Sequence, residues 1–318
     1  MRYKLELGLS NHDLSGAGVA TKSSPRLVLD AVVMWNFAKN LDVWFGQTKL
    51  PGNLERVVSS ANLQLVDRSS VNGEFTLDRE FGIQLRNHHK LSKKFVMRES
   101  FAVSQGEGRN VTVENEGGYQ YMGRVELLPF GLFAKKGDYI EGDLAREKTP
   151  KLMFSSTYAY NFGALKTKGS QGLYFFEIPG KEEAYKGVTI DVQTVFVDAM
   201  FKYKGFSFMG EYAKRSAPEN TYNLVRVGDG LNLQAGYLFK NNWEVAARYT
   251  NIAINYFDGE NYRTKGSNEY TIGISRYVVG HKLKIQSDLT YGDYDFTTAG
   301  DLSNEERVGF RLQVEVHL

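Results

Sequence analysis

Apolar and polar residues alternate with a period of two along most of this chain. In residues 310–318, every second residue from Phe310 to Leu318 is apolar, and every residue between them is polar. Residues 243–250 and 281–291 carry the same pattern. Successive side chains of a β-strand point to opposite faces, so a period of two predicts strands with one apolar and one polar face.

About fourteen segments are predicted as strands, and many have close to the roughly 9–11 residues with which a tilted strand crosses a bilayer. Their approximate bounds are 2–10, 26–37, 41–49, 80–89, 94–104, 119–128, 152–161, 188–203, 205–214, 230–239, 243–250, 268–279, 281–291 and 310–318. The mean hydropathy is only −0.39. A membrane barrel agrees with this value, because only alternate residues of its strands face lipid.

The links between these segments alternate between short and long. Long polar links occupy 11–25, 50–79, 105–118, 162–187, 215–229, 254–267 and 292–306. An up-and-down barrel has its short turns on one rim and its long loops on the other, so the alternation predicts this topology with both chain ends on the short-turn rim. The segment 129–151 is an exception, because it is long where a short turn is due.

The charged face of the strands favours a membrane barrel over a soluble β-sandwich. Charged residues on this face include Arg86, Arg124, Asp198, Glu211 and Lys284. A sandwich also alternates apolar and polar residues, but its core is dry. A barrel of about fourteen strands is too wide for side chains to fill, so its lumen holds water and its apolar face meets lipid. We therefore expect a single all-β domain, residues 1–318, folded as an antiparallel up-and-down transmembrane β-barrel.

Composition argues against several other classes of protein. The 39 basic and 37 acidic residues nearly balance, so the chain lacks the excess of positive charge that is typical of nucleic-acid-binding proteins. The chain has no cysteine, and therefore no disulfide framework, thiolate metal site or cysteine nucleophile. Its five histidines lack a metal-ligand spacing, and neither a G-x-S-x-G nor a P-loop motif occurs. We expect no catalytic residue, no metal and no cofactor.

Several stretches between residues 40 and 160 carry a family resemblance. They are Val43–Asn53 (VWFGQTKLPGN), Leu65–Ser69 (LVDRS), Phe101–Asn110 (FAVSQGEGRN), Gly123–Gly131 (GRVELLPFG) and Arg146–Leu152 (REKTPKL). These segments resemble the phosphate-selective porin O/P family in its Bacteroidetes-type form. The rest of the chain resembles the family only as a barrel pattern.

The resemblance implies an outer-membrane channel of 16 strands, assembled as a homotrimer and conducting small anionic solutes. Only about fourteen strands are readable, and no signal peptide follows Met1. We therefore expect that an N-terminal hairpin is missing from this sequence. A closed barrel, with no gap between its first and last strands, would contradict that expectation.

The 50–79 link is the predicted constriction loop, because a long loop that folds into the lumen narrows a pore and its charges select ions. Guanidinium groups suit phosphate, since their fork of donors matches two oxygens at once. The predicted pore-lining and anion-binding residues are Lys49, Arg56, Arg68, Arg79, Arg86, Arg98 and Arg124. Acidic neighbours such as Asp67 and Asp78 leave open the alternative that these cations form salt bridges within the loop.

Three interpretations of function remain open from the sequence. The first is a porin for passive diffusion of small solutes, with a preference for phosphate-like anions. The second is a barrel that serves as a structural partner of other outer-membrane proteins, with the long links as docking surfaces. The third is a barrel enzyme, which would need a serine, a histidine and an acid together on the rim or the lipid face; we identify no such trio, so we expect no enzyme.

Overall fold

A computed structural model of the chain describes residues 1–9, 27–111, 118–164, 168–169, 172–173, 188–218, 221, 225–257, 262–298 and 301–316. In these residues, fourteen strands form one antiparallel sheet in which every strand pairs with its neighbour along the chain. The predicted all-β, up-and-down fold is therefore confirmed. A separate two-stranded ribbon pairs Lys168–Gly169 with Gly172–Leu173.

The fourteen strands of the sheet are numbered in chain order. They are β1 (Arg2–Leu7), β2 (Val28–Ala38), β3 (Leu41–Lys49), β4 (Arg79–Lys90), β5 (Val96–Ser104), β6 (Gln120–Leu128), β7 (Lys151–Ala164), β8 (Ile190–Tyr203), β9 (Phe206–Ser216), β10 (Val227–Leu238), β11 (Trp243–Phe257), β12 (Tyr262–Tyr277), β13 (Leu283–Thr298) and β14 (Asp301–Val316). Strands β1 and β14 are the two edges of this sheet.

In two of the predicted long links, every residue that the structure describes is strand instead. Strands β11 and β12 stay paired as far as Phe257 and Tyr262, within the predicted link 254–267. Strands β13 and β14 stay paired as far as Thr298 and Asp301, beyond the start of the predicted link 292–306. The prediction failed because apolar alternation marks only the part of a strand that faces lipid. Backbone pairing continues beyond it, where both faces of a hairpin meet water.

The two faces of the sheet have opposite character, as the alternation predicts. The outward face exposes large apolar side chains, among them Ile272 at 58 % and Phe310 at 69 % exposure. The inward face carries charged side chains that are almost fully buried, such as Asp198, Glu211 and Lys284. Burial of charge on this scale requires partners inside the barrel, because a buried charge is stable only when it is paired or hydrogen-bonded.

Those partners come largely from the segment between β3 and β4. It contains two short helices, α1 (Leu54–Val57) and α2 (Ser70–Phe75), and a 3₁₀ turn at Ser60–Asn62. Its apolar side chains, including Val71 and Phe75, form a buried cluster with residues of the barrel wall such as Phe196. The hydrophobic core thus lies inside the barrel. No helix in the described part of the chain is long and apolar enough to span a bilayer.

Candidate functional site in the barrel lumen

Residues 50–78 cross the lumen, and the barrel wall holds them there through their backbone carbonyls. Arg124 on β6 donates to the carbonyl of Gly52 over 2.6 Å. Arg215 on β9 donates to the carbonyls of Glu74 and Phe75, both over 3.1 Å. On the far wall, Lys284 on β13 donates to the carbonyl of Leu63 over 2.9 Å. We call residues 50–78 the inner loop.

The tip of the inner loop reaches the short-turn half of the barrel. The Gln64 amide donates to Ser207 Oγ over 2.9 Å and to Glu244 Oε1 over 2.7 Å, and both residues lie near the short-turn ends of their strands. Gln286 donates to the Gln64 carbonyl over 2.9 Å. The loop therefore extends from the long-loop rim across most of the lumen and narrows it over that depth.

Hydrogen bonds within the inner loop hold its two helices together. Ser69 caps α2 by accepting from the backbone N–H of Asn72 over 3.2 Å, as serine commonly does at a helix N-terminus. The Glu55 carboxylate on α1 accepts from the Ser69 backbone N–H over 2.7 Å and from Ser69 Oγ over 2.5 Å. Burial raises the pKa of Glu55 above its ordinary value, although Arg248 opposes that shift.

Four charged residues, which we call the loop cluster, lie close together at the base of the inner loop, near β3 and β4. They are Lys49, Arg56, Arg68 and Asp78. Arg56 makes a two-point ion pair with Asp78, in which Nε lies 2.5 Å from Oδ1. Lys49 Nζ donates to the Arg56 carbonyl over 2.9 Å and to the Val58 carbonyl over 3.3 Å. Arg68 donates to the same Val58 carbonyl over 2.8 Å. The cations of Lys49 and Arg68 thus converge on one oxygen atom.

The loop cluster carries more positive than negative charge. Burial lowers the pKa of Arg68, and the positive charge of Arg56 lowers it further. Burial alone would raise the pKa of the Asp78 carboxyl, but attraction to Arg56, Arg79 and Lys49 outweighs it and holds that pKa below 3.8. The lowered pKa of Asp78 indicates positive surroundings, in which a further negative charge would be stabilised.

The other four predicted residues lie on the wall strands β4, β5 and β6. Arg79 forms ion pairs with Asp30, Glu6 and Asp78 at 3.1–3.5 Å. It is therefore tied to the adjoining wall and to the Asp78 carboxylate of the loop cluster.

Arg98 and Arg124 share one carboxylate, that of Glu126, at 3.1 Å and 2.8 Å. Arg98 also pairs with Asp138, and Arg124 pairs with Asp198 at 2.7 Å. Each arginine therefore has two carboxylate partners. Arg124 is almost fully buried.

Arg86 has a different environment. It donates to Gln84 Oε1 over 2.7 Å, and its guanidinium lies 4.1 Å from the centre of the Trp44 ring. Among the described residues, Lys49, Arg68 and Arg86 form no ion pair with a carboxylate. The structure thus divides the seven predicted cations into four that are paired and three that are not.

The sequence did not point to residues 129–150 as part of this site. This segment links β6 to β7 and folds into the lumen, where Asp138, Glu141 and Asp143 are buried. It also binds Lys202, a buried residue on the inward face of β8. Two features of the sequence could have indicated this role. The link 129–151 is longer than a short turn, and the alternation of the strand places Lys202 on the inward face, two residues after Met200. In the residues that the structure describes, no group of three or more His, Asp or Glu side chains is arranged to hold a metal ion.

Comparisons with known proteins agree with this architecture. A family model described as phosphate-selective porin O and P matches residues 2–316. A comparison with curated proteins gives no match.

Similar solved structures include OprB of Pseudomonas putida at high pH, with a TM-score of 0.51 and 10% identity, covering 92% of this chain and 75% of the other. Another is in-vitro folded OmpT, an outer membrane protein of Vibrio cholerae, with a TM-score of 0.46 and 11% identity, covering 87% of this chain and 74% of the other. At these identities the likeness to OprB concerns the fold alone.

Proposed function

Because the chain belongs to the phosphate-selective porin O and P family over residues 2–316, we propose that its pore prefers small anions of the phosphate type. Membership supports an outer-membrane porin for small solutes, and a channel is the function we propose rather than an enzyme. The proposal adds the sign of the preferred charge and the residues that set it. A homotrimer, as the family resemblance implies, belongs to the same proposal.

The observation that carries the proposal is the convergence of Lys49 and Arg68 on the Val58 carbonyl, at 3.3 Å and 2.8 Å. Both side chains are only partly buried. A carbonyl oxygen carries only a partial negative charge, so it compensates little of the positive charge of Arg68 and of Lys49 in its protonated form. A phosphate oxygen would accept from both cations and bring the full charge that the carbonyl lacks.

The inner loop supports the same conclusion by its position. Charges exert most control over ion selection at the narrowest part of a pore, and the loop narrows this lumen. Asp78 neutralises one of the three cations through Arg56, which leaves a net positive charge. We propose Lys49 and Arg68 as the primary anion-binding residues and the unpaired Arg86 as a further one. Arg56, Arg79, Arg98 and Arg124 hold the loop and wall in place.

A structural role in an outer-membrane complex is the second candidate. The observation that favours it is the inward folding of two segments, residues 50–78 and 129–150, into one lumen. A barrel filled in this way and closed to ions would act through its rims. The absence of ion current from a folded barrel would support this candidate over the first.

The test is the reversal potential of the protein in a planar bilayer under a potassium chloride gradient. An anion-preferring pore gives a reversal potential of the sign set by chloride, and added phosphate reduces the chloride current. A reversal potential of the sign set by potassium would overturn the proposed anion preference.

A further inference from the structure

The segment 129–150 is too long for the rim on which it lies, where short turns are expected. The other described connections on the short-turn rim are tight, such as the turn from Tyr203 to Phe206 between β8 and β9. This one has positive φ angles at Lys135 and Lys136, and it continues into the lumen from Gly137 onward. We call residues 137–142, its innermost part, the inner bar.

The inner bar contacts the tip of the inner loop directly. The Glu141 backbone N–H donates to the Asn62 carbonyl over 3.0 Å, and the Asn62 amide donates to the Tyr139 carbonyl over 3.3 Å. The Glu141 carboxylate accepts from the Gln64 backbone N–H over 2.8 Å. A segment from the short-turn rim and a loop from the long-loop rim thus meet inside the barrel.

Lys202 fastens the inner bar to the barrel wall. Its Nζ donates to the carbonyls of Gly137, Ile140 and Gly142 over 2.7 Å, 2.6 Å and 2.5 Å. All three donors of the ammonium group are therefore used on the backbone of one turn. Three bonds to carbonyls spread over residues 137–142 fix the path of that turn more tightly than a single ion pair would.

Neighbouring contacts fix the same turn from both sides. Asp143 accepts from the Gly205 backbone N–H over 2.8 Å, and Gln234 donates to the Glu141 carboxylate over 2.9 Å. Arg98 pairs with Asp138 at the other end of the bar. The bar is thereby attached to β5, β8 and β10 and to the turn between β8 and β9.

We propose that the inner bar is a second constriction of the pore, and that Lys202 and Glu141 are positioning residues which hold the bar and the tip of the inner loop in register. This inference rests on the proposed pore function. It concerns the width of the pore, whereas the loop cluster concerns its ion preference. Loss of the contacts of either residue frees the tip of the inner loop and widens the lumen on its short-turn side.

The test compares Lys202→Met and Glu141→Ala with Lys204→Met, which removes an exposed lysine two residues from Lys202 on the adjoining turn. Each change is made alone and together with Leu63→Cys. Leu63 is buried at the loop tip, and the chain has no other cysteine. Single-channel conductance in potassium chloride and the rate of modification by a charged methanethiosulfonate reagent are measured. Heat-modifiable gel mobility confirms that each barrel is folded.

We expect Lys202→Met and Glu141→Ala to raise the conductance and to speed thiol modification, with Lys204→Met unchanged. Folded variants that match Lys204→Met in both measurements would overturn the proposal. If Lys202→Met fails to fold, Glu141→Ala decides by the same criterion. The proposed anion preference is judged separately, from the sign of the wild-type reversal potential, so the two proposals can fail independently.

Discussion

Arg124 Nη1 on β6 lies 2.7 Å from Asp198 Oδ2 on β8 and 2.6 Å from the carbonyl of Gly52. A single guanidinium therefore connects two strands of the wall to the first turn of the inner loop. Ser155 on the intervening β7 donates to the same Asp198 oxygen over 3.0 Å. This buried network fixes where the loop enters the lumen.

Breaking the Arg124–Asp198 pair from either side should destabilise the barrel. Arg124→Met leaves the buried Asp198 carboxylate without its counter-charge, which costs about 3–5 kcal/mol in typical proteins. Asp198→Asn should cost less, because Arg124 keeps its ion pair with Glu126. The free energy of unfolding in urea, followed by heat-modifiable gel mobility, measures the loss. Arg307→Met is the matched control, because Arg307 and Glu305 form an exposed pair on β14. Equal stability of Arg124→Met and Arg307→Met would contradict the structural role of Arg124.

Neutralising the unpaired cations should change ion preference without unfolding the barrel. Lys49→Gln and Arg68→Gln remove positive charge from the loop cluster but retain hydrogen-bond donors for the Val58 carbonyl. We expect each change to move the reversal potential towards that of potassium, and the double variant to move it further. Lys93→Gln, in the exposed turn between β4 and β5, is the control and should leave it unchanged. A double variant with the wild-type reversal potential would exclude these residues from ion selection.

Acid should weaken the attachment of the inner loop through Asp78. The pKa of this carboxyl is held below 3.8 in the folded chain, so between the two pKa values the unfolded chain binds more protons and stability rises with pH. The contribution is fully present above 3.8 and is lost as the pH falls through the folded value. Urea unfolding midpoints at about pH 6 and about pH 3 should differ less for Asp78→Asn than for the wild type.

The pKa of Glu55 is shifted in the opposite direction from that of Asp78. Burial raises its folded pKa above 4.5, so its contribution to stability is present below that value and is lost as the pH rises through the folded pKa. Glu55→Gln should therefore steepen the fall in stability on acidification, whereas Asp78→Asn flattens it. The same pH dependence in both variants would contradict the assignment of opposite shifts.

A charge on the outward face should be costly in the middle of a strand and tolerated at its end. Ile272 is exposed on β12, opposite Leu289 on β13, and arginine at such a mid-membrane position costs about 2–4 kcal/mol. Val279→Arg, in the exposed turn after β12, should cost only about 0–1 kcal/mol. Folding equilibria in lipid vesicles give both values. A small cost at Ile272 would mean that this position does not face lipid.

The strands could be predicted from the sequence because lipid on one side and a polar interior on the other impose a period of two. The extensions of β13 and β14 to Thr298 and Asp301 could not be, since a hairpin in water needs no apolar face. The inner loop was predicted from its length and charge. The partners of the wall arginine Arg124 were not, because they include a residue from a distant part of the chain: Asp198 is 74 residues away.

The inner bar shows a second limit of the sequence. The excess length of 129–151 was visible, but the lysine that fastens the bar to the wall binds three backbone carbonyls. Backbone acceptors carry no sequence signal, since any residue supplies one. The alternation of short and long links therefore showed where one rim departs from short turns, but it did not show what the extra residues do.

The central claim is that Lys49 and Arg68 form the anion site of the pore. The most direct measurement is phosphate inhibition of the chloride current through single channels, compared between the wild type and the Lys49→Gln/Arg68→Gln double variant. The account predicts that phosphate reduces the wild-type current at concentrations that leave the current of the double variant unchanged. Equal inhibition of both proteins, or a wild-type current carried mainly by potassium, would contradict it.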